Sequence, residues 1–185
     1  MEKNYQTKHI FLIIAILTAI FGPISYFFIP QTVADIVHHK DGVWFVSVPK
    51  ENFTTFAVGF LFIFIASMTL FLLDIKKISI IISILFLGCA FAAFYLASQS
   101  FGSLSTENIT YSPLSTTEKY TYTWEQVDKI IHHRTESGDI SNYEFVFNDG
   151  KSFTIKDSPY FKSKSLKFNK QLMESNIEVE FSLVE

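Results

Sequence analysis

Residues 10–29 read IFLIIAILTAIFGPISYFFI, a run of twenty residues without a formally charged side chain. An α-helix rises about 1.5 Å per residue, so this run would extend about 30 Å, the thickness of the hydrocarbon core of a bilayer. Two further uncharged runs occupy residues 56–73 (FAVGFLFIFIASMTLFLL) and 78–97 (ISIIISILFLGCAFAAFYLA). Three such runs within a hundred residues predict an α-helical membrane protein with three transmembrane helices.

Composition and charge divide the 185 residues into two parts. Hydrophobic residues make up 49% of the chain and charged residues 18%, and the net charge is −3. Residues 1–104 carry a net charge of +1, whereas residues 105–185 carry −4. We therefore predict a membrane domain at 1–104 and a soluble C-terminal domain at 105–185. The composition excludes a disordered chain, and without a large positive charge we expect no nucleic-acid partner.

The three runs contain no Asp, Glu, Lys, Arg or His. Ionisable groups within the membrane are typical of ion and proton pathways, so their absence argues against a transporter or channel. Cys89 lies in the third run, where a reactive thiolate would be disfavoured. We therefore interpret the helices as an anchor in the lipid bilayer, and we predict no catalytic residue and no cofactor.

Lysine positions suggest an orientation. Lys3 and Lys8 precede the first run, and Lys76 and Lys77 lie in the tight connection between the second and third runs. The other side would carry only two lysines near the spans, Lys40 and Lys50. Cytoplasmic loops are enriched in Lys and Arg, so we expect a cytoplasmic N-terminus and an external C-terminal domain, joined by a Ser/Thr-rich external linker at residues 98–117.

The segment between the first two runs, residues 30–55, contains two β-prone stretches. Residues 32–38 and 43–48 flank the turn-like tripeptide at 40–42, which predicts a short hairpin beside the membrane. His38, His39 and Asp41 are candidate metal ligands. Adjacent histidines on a strand point to opposite faces, however, so a polar turn is favoured and no metal site is predicted.

The C-terminal part shows strand and hairpin signals. Residues 119–124 (KYTYTW) alternate polar and aromatic residues, which predicts a half-buried strand. Residues 143–147 and 151–155 flank Asn148-Asp149-Gly150, a combination that tolerates positive φ and predicts a hairpin. Residues 177–184 alternate again and predict a last strand.

A helix is predicted to begin at Ser158-Pro159, with the serine as N-cap and the proline in the first turn. Phe161, Phe168 and Leu172 would form its apolar stripe. Together with the predicted strands, this helix predicts an α+β fold for residues 105–185. The opposite face carries four lysines, which we interpret mainly as a solvated face: Lys162, Lys164, Lys167 and Lys170.

Several short motifs resemble functional sites. Gly150-Lys151-Ser152 matches the end of a phosphate-binding loop, but Phe145 stands where that motif needs its first glycine. The stretch from His132 to Glu136 (HHRTE) contains two histidines and a carboxylate but supplies no third ligand at a fixed spacing. Asn52 and Asn108 each begin a glycosylation sequon. None of these motifs predicts a site on its own.

The spacing of Tyr122, Trp124, Val127 and Ile130, the hairpin at residues 143–152 and the following helix resemble bacterial PH-like domains fused to membrane spans. The resemblance covers residues 107–176. Two features differ from that family: the segment is short for a complete PH barrel, and a strand follows the final helix. The resemblance implies binding of a lipid, a peptide or a partner protein, or self-assembly, and it carries over no functional residue.

Two functions remain open at this point. The first is a membrane-anchored, non-enzymatic binding or sensing module with a protein or lipid partner for the C-terminal domain. The second is a small membrane enzyme or transporter accessory subunit that uses the loop with His38, His39 and Asp41.

Overall fold

The structure is a computed structural model that describes residues 2–114, 116, 118–135 and 141–184, with side chains from Thr7 to Leu183 within those ranges. Contacts divide the chain into two compact units. The helical unit contains Met1–Val33 and Lys50–Gln99, and the sheet unit contains Ala34–Pro49 and Ser100–Glu185. The boundary expected at 104/105 differs from this division, because residues 34–49 and 100–104 belong to the sheet unit.

Three long helices contain the three apolar runs. They are α1 (Glu2–His38), α2 (Lys50–Leu72) and α3 (Lys77–Gln99). Each is long and apolar enough to cross a membrane, which confirms this part of the prediction.

The hairpin predicted before α2 is wrong, because residues 32–38 continue α1 instead of forming a strand. The last turns of the helix keep their hydrogen bonds: Thr32 Oγ1 donates to the Phe28 carbonyl at 2.8 Å, and the His39 amide donates to the Asp35 carbonyl at 3.1 Å. Local helical bonding thus overrides the β propensity of Thr, Val and Ile in this stretch.

Helices α2 and α3 form an antiparallel pair held by close packing and by two polar contacts. A Cβ at Gly59 would lie 2.5 Å from Phe94 Cε1, so only glycine permits this approach. Asn52 Nδ2 donates to the Ala97 carbonyl, and Ser83 Oγ donates to the Ala66 carbonyl, each at 2.8 Å. Such bonds between helices satisfy polar groups that would otherwise lie in an apolar environment.

Small residues mark the face of α1 that is buried. Ala15 and Gly22 are buried, and with half-buried Phe11 and Thr18 they recur at alternating spacings of four and three. This repeat is typical of the contact seam between two helices. At the start of α1, Lys8 Nζ lies 2.7 Å from Asp74 Oδ1 in the turn between α2 and α3.

The first sheet of the sheet unit is antiparallel, in the order β1 (Val43–Ser47), β2 (Phe101–Ser105), β3 (Asn108–Ser112) and β4 (Tyr120–Thr123). The strand expected near residues 43–48 is present, but its partner is β2, with Ser47 opposite Gly102 and Phe45 opposite Leu104. The linker predicted at 98–117 is wrong, because it contains two strands of this sheet.

The second sheet has the order β7 (Ser152–Lys156), β6 (Ser141–Phe147), β5 (Val127–Thr135) and β8 (Val179–Val184), with β8 parallel to β5. The predicted hairpin is confirmed as β6–β7, and Gly150 in its turn has a φ of 81°. The predicted last strand is confirmed as β8.

The predicted helix after β7 is divided into α4 (Pro159–Lys162) and α5 (Ser165–Ser175). Ser158 is the N-cap, as expected, and its Oγ accepts a hydrogen bond from the Phe161 amide at 3.2 Å. The predicted apolar stripe packs inward, since Phe161 and Phe168 are buried and Leu172 packs against the core.

The core of the sheet unit lies between the two sheets and is mostly aromatic. The Tyr122 and Phe147 rings stack with centroids 3.9 Å apart, and the Tyr111 and Phe153 rings stack at 5.0 Å. Both contacts join the first sheet to the second. Phe161 then packs edge-on against Phe45 of β1, which brings α4 into the same core.

Candidate functional site

The three candidate metal ligands of the loop are not brought together. The His38 ring stacks on Phe101 of β2, with the ring centroids 3.5 Å apart and the planes 10° from parallel. His39 and Asp41 are exposed. Within the described ranges, no group of three His, Cys, Asp or Glu side chains is placed to hold a metal ion.

The other sequence motifs have structural places. Gly150 and Lys151 lie in the β6–β7 turn and Ser152 begins β7. Lys151 Nζ lies 4.0 Å from the centroid of the Tyr120 ring. Asn52 of the first sequon is buried in the helical unit, Asn108 begins β3, and Cys89 is half-buried in α3.

A buried polar cluster in the sheet unit was not predicted. It joins His132 on β5, Ser141 on β6 and Asp157 directly after β7. The His132 Nε2 atom lies 2.5 Å from Ser141 Oγ and 3.7 Å from Asp157 Oδ2. The His132 side chain is 2% exposed and that of Asp157 is 8% exposed, and Lys162 Nζ approaches the same carboxylate at 3.5 Å.

The serine of this cluster lies within hydrogen-bond distance of both other groups. Ser141 Oγ donates to Asp157 Oδ2 at 3.1 Å, and the same oxygen shares a hydrogen bond with His132 Nε2. In a Ser-His-Asp triad the serine and the aspartate contact opposite ring nitrogens of the histidine, whereas here both lie beside Nε2. The arrangement therefore differs from a triad, and it satisfies polar groups inside the sheet unit.

The sequence VDKIIHHRT does not alternate polar and apolar residues, so no pattern in it indicated this cluster. The alternation of side chains along β5 places His132 on the inner face, against the Tyr143 ring at 4.1 Å, and His133 on the other face, where its Nε2 lies 2.9 Å from Glu144 Oε2. Ser141 and Asp157 lie 9 and 25 residues further along the chain, at spacings that no motif defines. Glu136, the carboxylate of the sequence motif, lies outside the described residues.

We expect the cluster to make the free energy of unfolding depend on pH. Burial lowers the pKa of His132 below its ordinary value of 6.5, and the Arg134 guanidinium lowers it further, whereas Asp157 raises it. Below about pH 6.5 the His132 imidazole of the unfolded chain binds a proton, whereas in the folded chain its lowered pKa keeps it neutral. The free energy of unfolding should therefore decrease as the pH falls below about 6.5. Unfolding can be followed from about pH 7.5 to pH 5 by the fluorescence of Trp44 and Trp124, the two tryptophans, both buried in the sheet unit.

His132→Gln, which keeps a donor near Ser141, should flatten this pH dependence. His39→Gln, at an exposed position outside the cluster, should leave it unchanged. An equal slope in all three proteins would contradict the role assigned to His132.

The lysine face predicted for the helix is confirmed as mainly exposed: Lys162, Lys167 and Lys170 are exposed, and Lys164 is half-buried. Two apolar side chains unexpectedly share it, since Leu166 and Met173 are each 84% exposed. We call Leu166, Lys167, Lys170 and Met173 the α5 ridge.

Two of the cavities are further candidate surfaces. A groove of about 420 Å³ lies between α1 and α2 and is lined mainly by apolar residues, among them Gly22, Pro23 and Phe60. A pocket of about 370 Å³ lies between the start of β1 and α5, where Lys167, Gln171 and Glu174 form one wall. Neither cavity brings catalytic groups together among the described residues. Comparison with protein-family models and with curated proteins finds no match.

Proposed function

We propose that this protein is a membrane-anchored, non-enzymatic binding or sensing module whose sheet unit recognises a protein or lipid partner. One observation carries the proposal: β1, located between α1 and α2, pairs with β2, which directly follows α3. The sheet unit is therefore connected to the helical unit at three points along the chain, at 33/34, 49/50 and 99/100, instead of one.

This pairing supports a three-span topology. Since β1 and β2 belong to one sheet, the segments before α2 and after α3 must lie on the same side of a bilayer. A helical pair that crosses and returns meets this condition. The ion pair between Lys8 and Asp74 likewise places the start of α1 beside the α2–α3 turn, as three crossing helices require. Most of the lysines near the helices lie on the side of the N-terminus and of the α2–α3 turn. Because cytoplasmic segments are enriched in lysine, we propose a cytoplasmic N-terminus and an external sheet unit.

The topology of the sheet unit supports a PH-like domain. A four-stranded antiparallel sheet packs against a second sheet, and a helix follows the β6–β7 hairpin, in the place where the helix ends a PH-like fold. The sequence segment is short for such a barrel because β1 comes from the loop before α2. Strand β8, parallel to β5, is an addition to the PH-like pattern.

The alternative function, a membrane enzyme or transporter accessory subunit acting through the loop, has no feature of the described geometry in its favour. Residues 43–47 of that loop are a strand, and His38 is stacked on Phe101. If the loop histidines have no chemical role, His38→Ala and His39→Ala should leave partner recognition intact.

The proposal is tested by a single cysteine at Asn148, exposed in the β6–β7 turn, in a Cys89→Ala background. In intact cells an impermeant maleimide should label Asn148→Cys. The matched control Thr7→Cys, exposed before the first apolar run, should be labelled only after lysis. Labelling of Asn148→Cys only after lysis would reverse the orientation.

The same cysteine carries a photo-crosslinker for the functional test. Benzophenone-maleimide at position 148 should give a discrete protein or lipid adduct upon irradiation of cells. Failure to form any adduct from this and other exposed positions of the sheet unit would contradict a binding function.

A further inference from the structure

The α5 ridge has an unusual distribution of apolar side chains. Leu166 and Met173 are seven residues apart and therefore share one face of the helix. That face is opposite Phe168 and Gln171, which are buried at 3% and 8% exposure. Helix α5 thus packs one side against the core and presents two large apolar side chains on the side that faces away from it.

Positive charge is concentrated in the same segment. Residues 159–175 contain four lysines and one acid, Glu174, a net charge of +3, although residues 105–185 together carry −4. Lys170 Nζ lies 3.5 Å from Glu174, and Lys162 Nζ lies 3.5 Å from Asp157. Lys167 forms neither of these two ion pairs. It is exposed, and it also lines the pocket beside β1.

We infer that the α5 ridge docks on the surface of a bilayer that contains anionic phospholipids. An exposed helix face that combines lysines with large apolar side chains suits the boundary between headgroups and acyl chains. Leu166 and Met173 would enter that boundary, while the long lysine side chains keep their ammonium groups at the level of the phosphates. The positive charge of the lysines favours a bilayer with anionic phospholipids over a neutral bilayer.

This inference rests on the proposed membrane anchoring. Two apolar side chains and a few lysines bind a bilayer only weakly when the domain is free in solution. A domain attached to transmembrane helices is held at a high effective concentration near the lipid, so weak contacts suffice. The acidic remainder of the domain limits the contact to the one basic segment.

The test uses the full chain with Met173→Cys in a Cys89→Ala background, labelled with a polarity-sensitive fluorophore. The protein is reconstituted into vesicles of phosphatidylcholine alone and of phosphatidylcholine with about 30% phosphatidylglycerol. Anionic lipid should shift the emission to the blue and decrease quenching by an aqueous quencher about twofold or more. High salt should reverse the effect, since it screens surface charge.

Two charge variants with equal loss of charge identify the surface. Lys167→Gln with Lys170→Gln should abolish the blue shift, whereas Lys151→Gln with Lys156→Gln, both exposed on the β6–β7 hairpin, should retain it. Tryptophan fluorescence verifies that each variant is folded. Equal effects of the two pairs would overturn the assignment to the α5 ridge.

The remaining outcomes separate this inference from the proposed function. Flotation of the protein with phosphatidylcholine vesicles and resistance to carbonate extraction test anchoring alone, and failure there overturns both proposals. An inserted protein with identical emission in both lipids overturns only the docking of the ridge. In phosphatidylcholine alone, protection of the fluorophore from the quencher that increases with protein density would identify a second copy of this chain as the occupant. That result would also overturn the docking of the ridge on lipid.

Discussion

A fragment that begins at residue 105 is expected to remain unfolded, because it lacks half of the first sheet. The missing strands β1 and β2 supply five buried apolar side chains: Trp44, Phe45, Val46, Phe101 and Leu104. Burial of each contributes about 1.5–3 kcal/mol. Their sum is comparable with the whole free energy of unfolding of a domain, about 5–15 kcal/mol. We therefore expect aggregation and no cooperative transition.

A fragment that restores both strands should fold without the helical pair. Residues 34–48 can be joined to 101–185 by Asn-Gly, because continuing the observed register places Val48 opposite Phe101. This protein should be soluble and show one cooperative transition by tryptophan fluorescence. Cooperative unfolding of the fragment that begins at residue 105 would show that the sheet unit folds without β1 and β2 and would contradict this prediction.

Enlarging Gly102 is expected to destabilise the sheet unit severely. A Cβ at this position would lie 1.9 Å from Phe153 Cζ, across the interface between the two sheets. Phe153 is 8% exposed and stacked on Tyr111, so its ring cannot yield freely. Gly102→Ala should decrease the free energy of unfolding by about 1–3 kcal/mol, and Gly102→Leu by more than about 3 kcal/mol.

Denaturant unfolding followed by tryptophan fluorescence measures both effects. In a Phe153→Leu background, the additional cost of Gly102→Ala should become smaller, because the clashing ring atoms are removed. Gly88→Ala in α3 is the control, since a Cβ at Gly88 would have no neighbouring atom within 4 Å and the transition of the sheet unit should not move. A cost of Gly102→Ala that is unchanged by Phe153→Leu would show that the close approach is not its cause.

Strong local signals predicted much of the fold. The three uncharged runs each lie in a helix, the Asn148-Asp149-Gly150 turn closes β6–β7, and Ser158 caps α4. In each case the cause lies within a few neighbouring residues. Membrane insertion, the orientation and the PH-like assignment stay proposals.

The rest of the fold depends on pairing between segments that are distant in the sequence, and local patterns do not predict such pairing. The stretch FGSLS at residues 101–105 has few β-prone residues, and it forms a strand because β1 and β3 pair with its two edges. Residues 32–38 look β-prone in isolation, but the preceding helix extends through them. The His132 cluster depends on three segments whose proximity follows from sheet register, so its members could not be associated beforehand. The exposure of Leu166 and Met173 likewise depends on which side of α5 meets the core.

The pairing of β1 with β2 has a consequence for biosynthesis. Translation proceeds at about 5–20 residues per second, so β1 waits roughly 3–11 s for its partner, while 53 intervening residues are synthesised. During this delay VWFVS is an unpaired apolar strand, the kind of segment that invites misassembly. Formation of the helical pair and completion of the sheet are thus steps of a single maturation process. A ribosomal pause within α3 would lengthen the period in which a nascent chain needs a chaperone.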